Sequence, residues 1–131
     1  MIIALLLYDR LSVIWGLVLT TIIVGLLKIA TNQFPENSTI FQMSRRPKGA
    51  TCCDLLSFDS TDQSQQAGFP SGHMAFISYF IMCLPNNTIP QITFNFALWI
   101  LIAYDRMATS CHTLFQVIIG TVVGIGVNRL I

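Results

Sequence analysis

Residues 68–84 read GFPSGHMAFISYFIMCL, a polar turn that runs without a break into an apolar stretch. Pro70, Ser71, Gly72 and His73 stand where a helix should begin, and the reading of that junction decides the fold. On either side the chain is apolar: residues 11–30, 89–104 and 113–127, with the shorter run 74–84, carry Lys28 as their only charge. Of 131 residues, 53% are hydrophobic and 10% charged, against about a quarter charged in soluble domains. So few charges cannot cover a water-facing surface. The expected fold is therefore all-α, a multi-pass transmembrane helical bundle in one domain over residues 1–131, integral to the membrane.

About four spans are predicted, at 11–30, 71–84, 89–104 and 112–128. The apolar residues before Tyr8 resemble a short signal peptide, but Asp9 and Arg10 follow at once and no small-residue cleavage site is present, so the N-terminus reads as retained. One long polar loop, 31–69, holds seven of the thirteen charged residues, including Glu36, Asp54, Asp59 and Asp62. A loop of that length calls for a function. The connection PNNTIP at 85–90 is a tight turn with two prolines. Four alternating spans then bring Lys28, Arg45 and Arg46, the PSGH turn and the segment from Asp105 to His112 to one membrane face. The second span, about fourteen residues or roughly 21 Å, is shorter than a hydrocarbon core of about 30 Å. Its polar start sits below the surface, where irregular backbone must be buried in protein or line a wet cavity.

At a helix start the first N–H groups lack intrahelical partners and face along the positive end of the dipole, which suits an anion. Ser71 adds a hydroxyl, Gly72 permits close approach and His73 can carry a proton; the plain alternative is a serine cap followed by a core histidine. Arg106 and His112 lie across the next connection on the same face. Two histidines can divide phosphoryl transfer, one attacking phosphorus and one protonating the leaving oxygen, while Lys28 and the arginines hold the equatorial oxygens. Zinc on His73, His112, Cys111 and Cys52 is the rival, but adjacent Cys52–Cys53 and Cys111–His112 are poor chelating spacings. A Cys111/His73 thiol dyad is a further option. The four cysteines show no C-x-x-C spacing, and no disulfide framework is indicated.

These residues resemble the type 2 phosphatidic acid phosphatase superfamily, whose signature is Lys-x6-Arg-Pro, Pro-Ser-Gly-His and Ser-Arg-x5-His-x3-Asp. The middle block is complete at 70–73, the first is similar to Arg46-Pro47, and the third to Asp105-Arg106-MATSC-His112-TLF-Gln116. Over residues 25–124 the chain looks like the last four of the family's usual six spans, and it is similar to compact forms encoded by large DNA viruses. The resemblance implies a metal-independent phosphatase without cofactors, acting on phosphatidate or a polyprenyl diphosphate. It makes His112 the nucleophile forming a phosphohistidine, His73 the general acid, and Lys28, Arg46, Ser71, Gly72 and Arg106 the phosphate-binding groups.

Three departures stand out. Thr39 occupies the lysine position, leaving Lys28, with Lys48 as its rival; Asp105 replaces serine and can pair with Arg106; and Gln116 replaces aspartate. As in dolichyl-diphosphatase-like members, Gln116 can still accept the imidazole N–H one helical turn on, but it cannot stabilise a positive ring as a carboxylate would. A phosphotransferase with the same intermediate, and an inactive membrane scaffold, remain the alternatives. The expected partners are the lipid substrate and the membrane, with a second copy of the chain left open; a net charge of +1 without a basic stripe argues against nucleic acid. Gly120 and Gly124 read as helix packing, and Trp15, Trp99, Tyr8 and Tyr104 as lipid-facing or interfacial rings. The sequons at Asn37 and Asn86 fall on opposite faces, so at most one is usable.

Overall fold

The computed structural model describes residues 2–50, 53 and 67–131, with side chains from Asp9 onward. Cys52, Asp54, Asp59, Asp62 and the Tyr8 ring lie outside the described residues. The described residues form five helices: α1 (Ile2–Asn32), α2 (Thr39–Met43), α3 (Gly72–Cys83), α4 (Ile89–Ala108) and α5 (Leu114–Leu130). Among the described residues there is no strand, only an isolated antiparallel bridge between Arg45 and Ala67.

Helix α1 runs straight through Asp9 and Arg10, which the sequence reading took as a boundary. Its segment Asp9–Asn32, 24 residues, is long and apolar enough to cross a membrane, at about 1.5 Å per residue against about 30 Å of hydrocarbon. The other ends are set by side-chain caps. Ser71 caps α3, and Thr88 and Thr113 open α4 and α5 through capping boxes closed by Gln91 and Gln116. Helix α5 therefore begins two residues later than the predicted 112, and His112 lies in the connection before it. Helix α4 likewise runs four residues past the predicted 104, to Ala108. The loop expected at 31–69 contains the short helix α2.

Helix α3 is the hub, packed most extensively on α5 and then on α1 and α4. Gly120 and Gly124 make the α3–α5 contact possible. A Cβ at Gly120 would meet the Ser71 carbonyl at 2.4 Å, and one at Gly124 would meet the Ala75 carbonyl at 2.3 Å and Tyr79 N at 2.8 Å. Backbone meets backbone here, as small residues allow between membrane helices. Gly124→Ala is expected to cost roughly 1–3 kcal/mol, since a rigid backbone must move. Gly126→Ala, with nothing within 4 Å of its Cβ, should be neutral or slightly stabilising. Thermal unfolding of both variants in detergent checks the contrast.

Met74, Ala103 and Val117 form the buried centre, with Ile77, Trp99 and Ile102 packed against it. Trp99, expected as a lipid-facing or interfacial ring, is half-buried against this centre, and its indole N–H donates to Thr121 Oγ1 at 3.1 Å and ties α4 to α5. Trp15 and Tyr104 are exposed, alongside Ile22 and Leu26 on α1 and Phe94 and Leu101 on α4. An outer face this apolar suits lipid and not water. The absence of disulfides expected from the sequence is also overturned, for Cys53 and Cys111 are bonded with Cα atoms 5.5 Å apart. Fifty-eight residues separate them, so no local spacing announces the pair.

Candidate active site

The two ends of the long loop are fastened to each other and to the start of α5. The Ser44 carbonyl accepts the N–H groups of Gly68, at 2.7 Å, and Phe69, at 3.2 Å. The Phe69 ring stacks on Phe115 at 5.6 Å between centroids, and Ser71 N–H donates to the Gln116 carbonyl at 3.2 Å. These bonds bring the first, second and third sequence blocks together.

Gln116, wholly buried, is the fastener. Its amide nitrogen donates to the carbonyls of Met43, at 3.0 Å, and Arg45, at 2.8 Å. Its Oε1 accepts from Thr113 N–H at 3.1 Å and lies 3.3 Å from His112 Nδ1. Two carbonyls can only accept, so the orientation of the amide is forced by its neighbours. The same logic fixes His112. Its Nδ1 lies 2.9 Å from the Gly68 carbonyl, so Nδ1 carries the proton and Nε2 keeps its lone pair. Gly68 has to be glycine here, because a Cβ would stand 2.8 Å from Gln116 Oε1 and 2.9 Å from Arg46 Cγ.

Burial lowers the pKa of His112 to about 4, helped by the charges of Arg46 and Lys28 and opposed by the bonds to Gly68 and Gln116. The ring is therefore neutral at physiological pH.

A cavity of about 510 Å³ is lined by the polar residues Lys28, Arg46, His73 and His112 with Gly72, and by the apolar residues Leu17, Phe76, Phe80 and Ile102. Of the residues expected to form the site, the structure thus brings five to one cavity. Lys28 reaches it from α1, its Nζ donating to the Ala67 carbonyl at 3.4 Å, whereas Lys48 is exposed and does not line it. His73 is half-buried on the wall and does not sit in the core. Ser71 is fully buried, and its hydroxyl accepts from Met74 N–H as the α3 cap. Arg106 is held back from the lining: its Nε and Nη2 donate to Asp105 Oδ2, at 3.1 and 2.6 Å, and its Nη1 to the Cys53 carbonyl at 3.0 Å. Pairing by Asp105 is the steering that the sequence raised. Gln116 stands behind His112, off the cavity wall.

Zinc on the four side chains considered has lost Cys111 to the disulfide, which also removes the Cys111/His73 thiol dyad. Among the described residues no three His, Cys, Asp or Glu side chains cluster as metal ligands. Sequence reasoning missed Gly68, whose carbonyl orients the nucleophile candidate. Its signal was a glycine two residues before Pro70.

A family model described as the PAP2 superfamily matches residues 9–131. No curated protein and no solved structure matches the chain.

Proposed function

The chain belongs to the PAP2 superfamily, a family of membrane-associated phosphatases, and from that membership we propose that it hydrolyses a lipid phosphomonoester or diphosphate through a phosphohistidine. One observation carries this reading: a single cavity joins two cations, Lys28 and Arg46, and two histidines, His73 and His112, to an apolar lining. Lys28 and Leu17, which both line it, stand eleven residues apart on α1, or about 16 Å at the helical rise. A phosphate headgroup suits the polar residues and the first part of a chain the apolar ones.

In the proposed reaction Nε2 of neutral His112 attacks phosphorus, and the bond to the leaving oxygen breaks as His73 delivers a proton to it. His73, now a base, takes a proton from water as that water attacks the phosphohistidine and frees His112 and phosphate. Lys28, Arg46 and the N–H of Gly72 at the α3 start hold the three equatorial oxygens as charge builds. With cations supplied by side chains, the reaction is read as metal-independent. Helices α1, α3, α4 and α5 are read as four membrane crossings that keep the cavity open to lipid.

The test is phosphate release by detergent-purified protein from phosphatidate and from a polyprenyl diphosphate, with EDTA present. Release from either supports the reading, and the preferred lipid names the substrate; no release from either by folded protein overturns it. The pH profile is a second check. Only neutral His112 attacks, and its pKa lies at about 4, so activity persists as pH falls through 6.5 and is lost near 4. The acid limb of kcat/KM reports the free enzyme, and a limb at 6 to 7, corrected for the substrate's own ionisation, would contradict the buried neutral ring.

A further inference from the structure

We propose that the Cys53–Cys111 disulfide is a positioning element of this site, holding the nucleophile's turn and Arg106 in register so that only the oxidised chain has an assembled centre. The inference rests on the phosphatase reading above for its activity arm, and on geometry alone for the rest.

Cys111 directly precedes His112, and Cys53 lines the cavity. Both cysteines are buried, packed with Ala50. The turn between α4 and α5 is tight: Cys111 and His112 N–H groups both donate to the Arg106 carbonyl, at 3.1 and 3.3 Å. Ser110, inside it, sits at φ 58°, a left-handed conformation that a non-glycine residue adopts only when its surroundings hold it there. The disulfide begins at the next residue. On its far side the Cys53 carbonyl accepts from Arg106 Nη1 at 3.0 Å. A closed ring results, running from Arg106 along the backbone to Cys111, across the sulfurs to Cys53 and back through that hydrogen bond. Opening the ring frees the Cys53 carbonyl, loosens Arg106 from one of its two partners and leaves the strained turn before His112 unanchored on one side.

Such bonds persist in oxidising compartments and are rare where thiols are kept reduced. The face carrying the site is therefore assigned to the oxidising side of the membrane. Formation needs a disulfide oxidant. Oxidised glutathione serves in vitro, taking the two electrons and two protons of the two thiols to become two molecules of glutathione. Dithiothreitol reverses the change, giving two thiols and its own cyclic disulfide.

The experiment uses the full chain carrying Cys52→Ser and Cys83→Ser, which leaves Cys53 and Cys111 as its two cysteines. Phosphate release is compared for oxidised, dithiothreitol-reduced and glutathione-reoxidised protein, with helix content followed by circular dichroism. Reduction is expected to lower kcat on the order of a hundredfold, as a misplacement of about 1 Å does, with a smaller change in KM. Reoxidation restores it. The second readout needs no turnover: with His73→Gln, His112 is the one histidine, and its ring protons are titrated by NMR. The midpoint, near 4 in the oxidised chain, should move toward the ordinary value of about 6.5 on reduction as the ring's burial lessens and the charges of Arg46 and Lys28 draw away from it. Unchanged kcat and midpoint after reduction overturn the proposal. So does loss of helix content along with activity, which makes the bond a fold staple, and so does ready alkylation of both thiols in protein taken from intact cells. If the oxidised protein releases no phosphate from any lipid, the phosphatase reading falls, while the NMR midpoint still decides the positioning role.

Discussion

His112→Ala is expected to reduce phosphate release by at least about a thousandfold, because it removes the group to which phosphorus becomes bonded. A loss that large requires that the variant still folds, and alanine in a site only 4% exposed leaves a hole. His112→Asn answers the concern. Its amide nitrogen can keep the bond to the Gly68 carbonyl now made by Nδ1 at 2.9 Å, yet it supplies nothing where Nε2 stood. Both variants should be equally inactive while the asparagine form retains the thermal stability of the parent. Rapid quench with labelled substrate adds a direct readout: the parent accumulates an acid-labile, alkali-stable phosphoprotein that neither variant forms. His73→Ala differs in kind, slowing release most from lipids with poor leaving groups, since its proton is needed there. Turnover above about a tenth of the parent's in His112→Asn would refute the nucleophile and favour a scaffold descended from an enzyme.

Much of this architecture is written in the apolar runs, since backbone in hydrocarbon must satisfy its own hydrogen bonds and a helix does so within one segment. The PSGH turn was readable as a helix start for the same reason. What escaped was set by side chains acting at a distance. The disulfide joins residues 58 apart with no periodic signal, and the Gly68 carbonyl belongs to backbone that a sequence names but does not aim. The start of α5 was a different kind of miss. Thr113 and Gln116 form a capping box at the spacing that marks a helix N-terminus, and reading it would have moved the helix to Leu114 and His112 into the connection. Asp9 and Arg10 act in the other direction, for two adjacent charges look like a helix end in sequence and yet lie within α1. For Trp99 the sequence shows an aromatic ring but not the half-buried Thr121 hydroxyl on the neighbouring helix that accepts its indole N–H.

The same box explains why glutamine at 116 is not a weakened aspartate. An acid there would accept from His112 and Thr113, as Gln116 Oε1 does at 3.3 and 3.1 Å, and would add charge to steady an imidazolium. It could not donate to the Met43 and Arg45 carbonyls, which now receive the amide nitrogen at 3.0 and 2.8 Å. Those bonds hold the segment that delivers Arg46 to the cavity. Gln116→Glu, nearly isosteric, is therefore expected to lose two donors and turn an oxygen toward two carbonyls. An acceptor left without a partner costs up to about 1–3 kcal/mol, and since these two carbonyls are part-buried the low end applies to each, about 2 kcal/mol together, so unfolding should come roughly 5–10 °C lower. Phosphate release should fall with it, chiefly through KM, because Arg46 is no longer held in place. The opposing expectation is equally sharp: if what matters at 116 is charge beside the imidazole, the glutamate variant will be faster than the parent at unchanged stability. Measuring kcat, KM and the unfolding temperature of this one variant separates the two, and a faster, equally stable enzyme would show that the loop is held by other bonds.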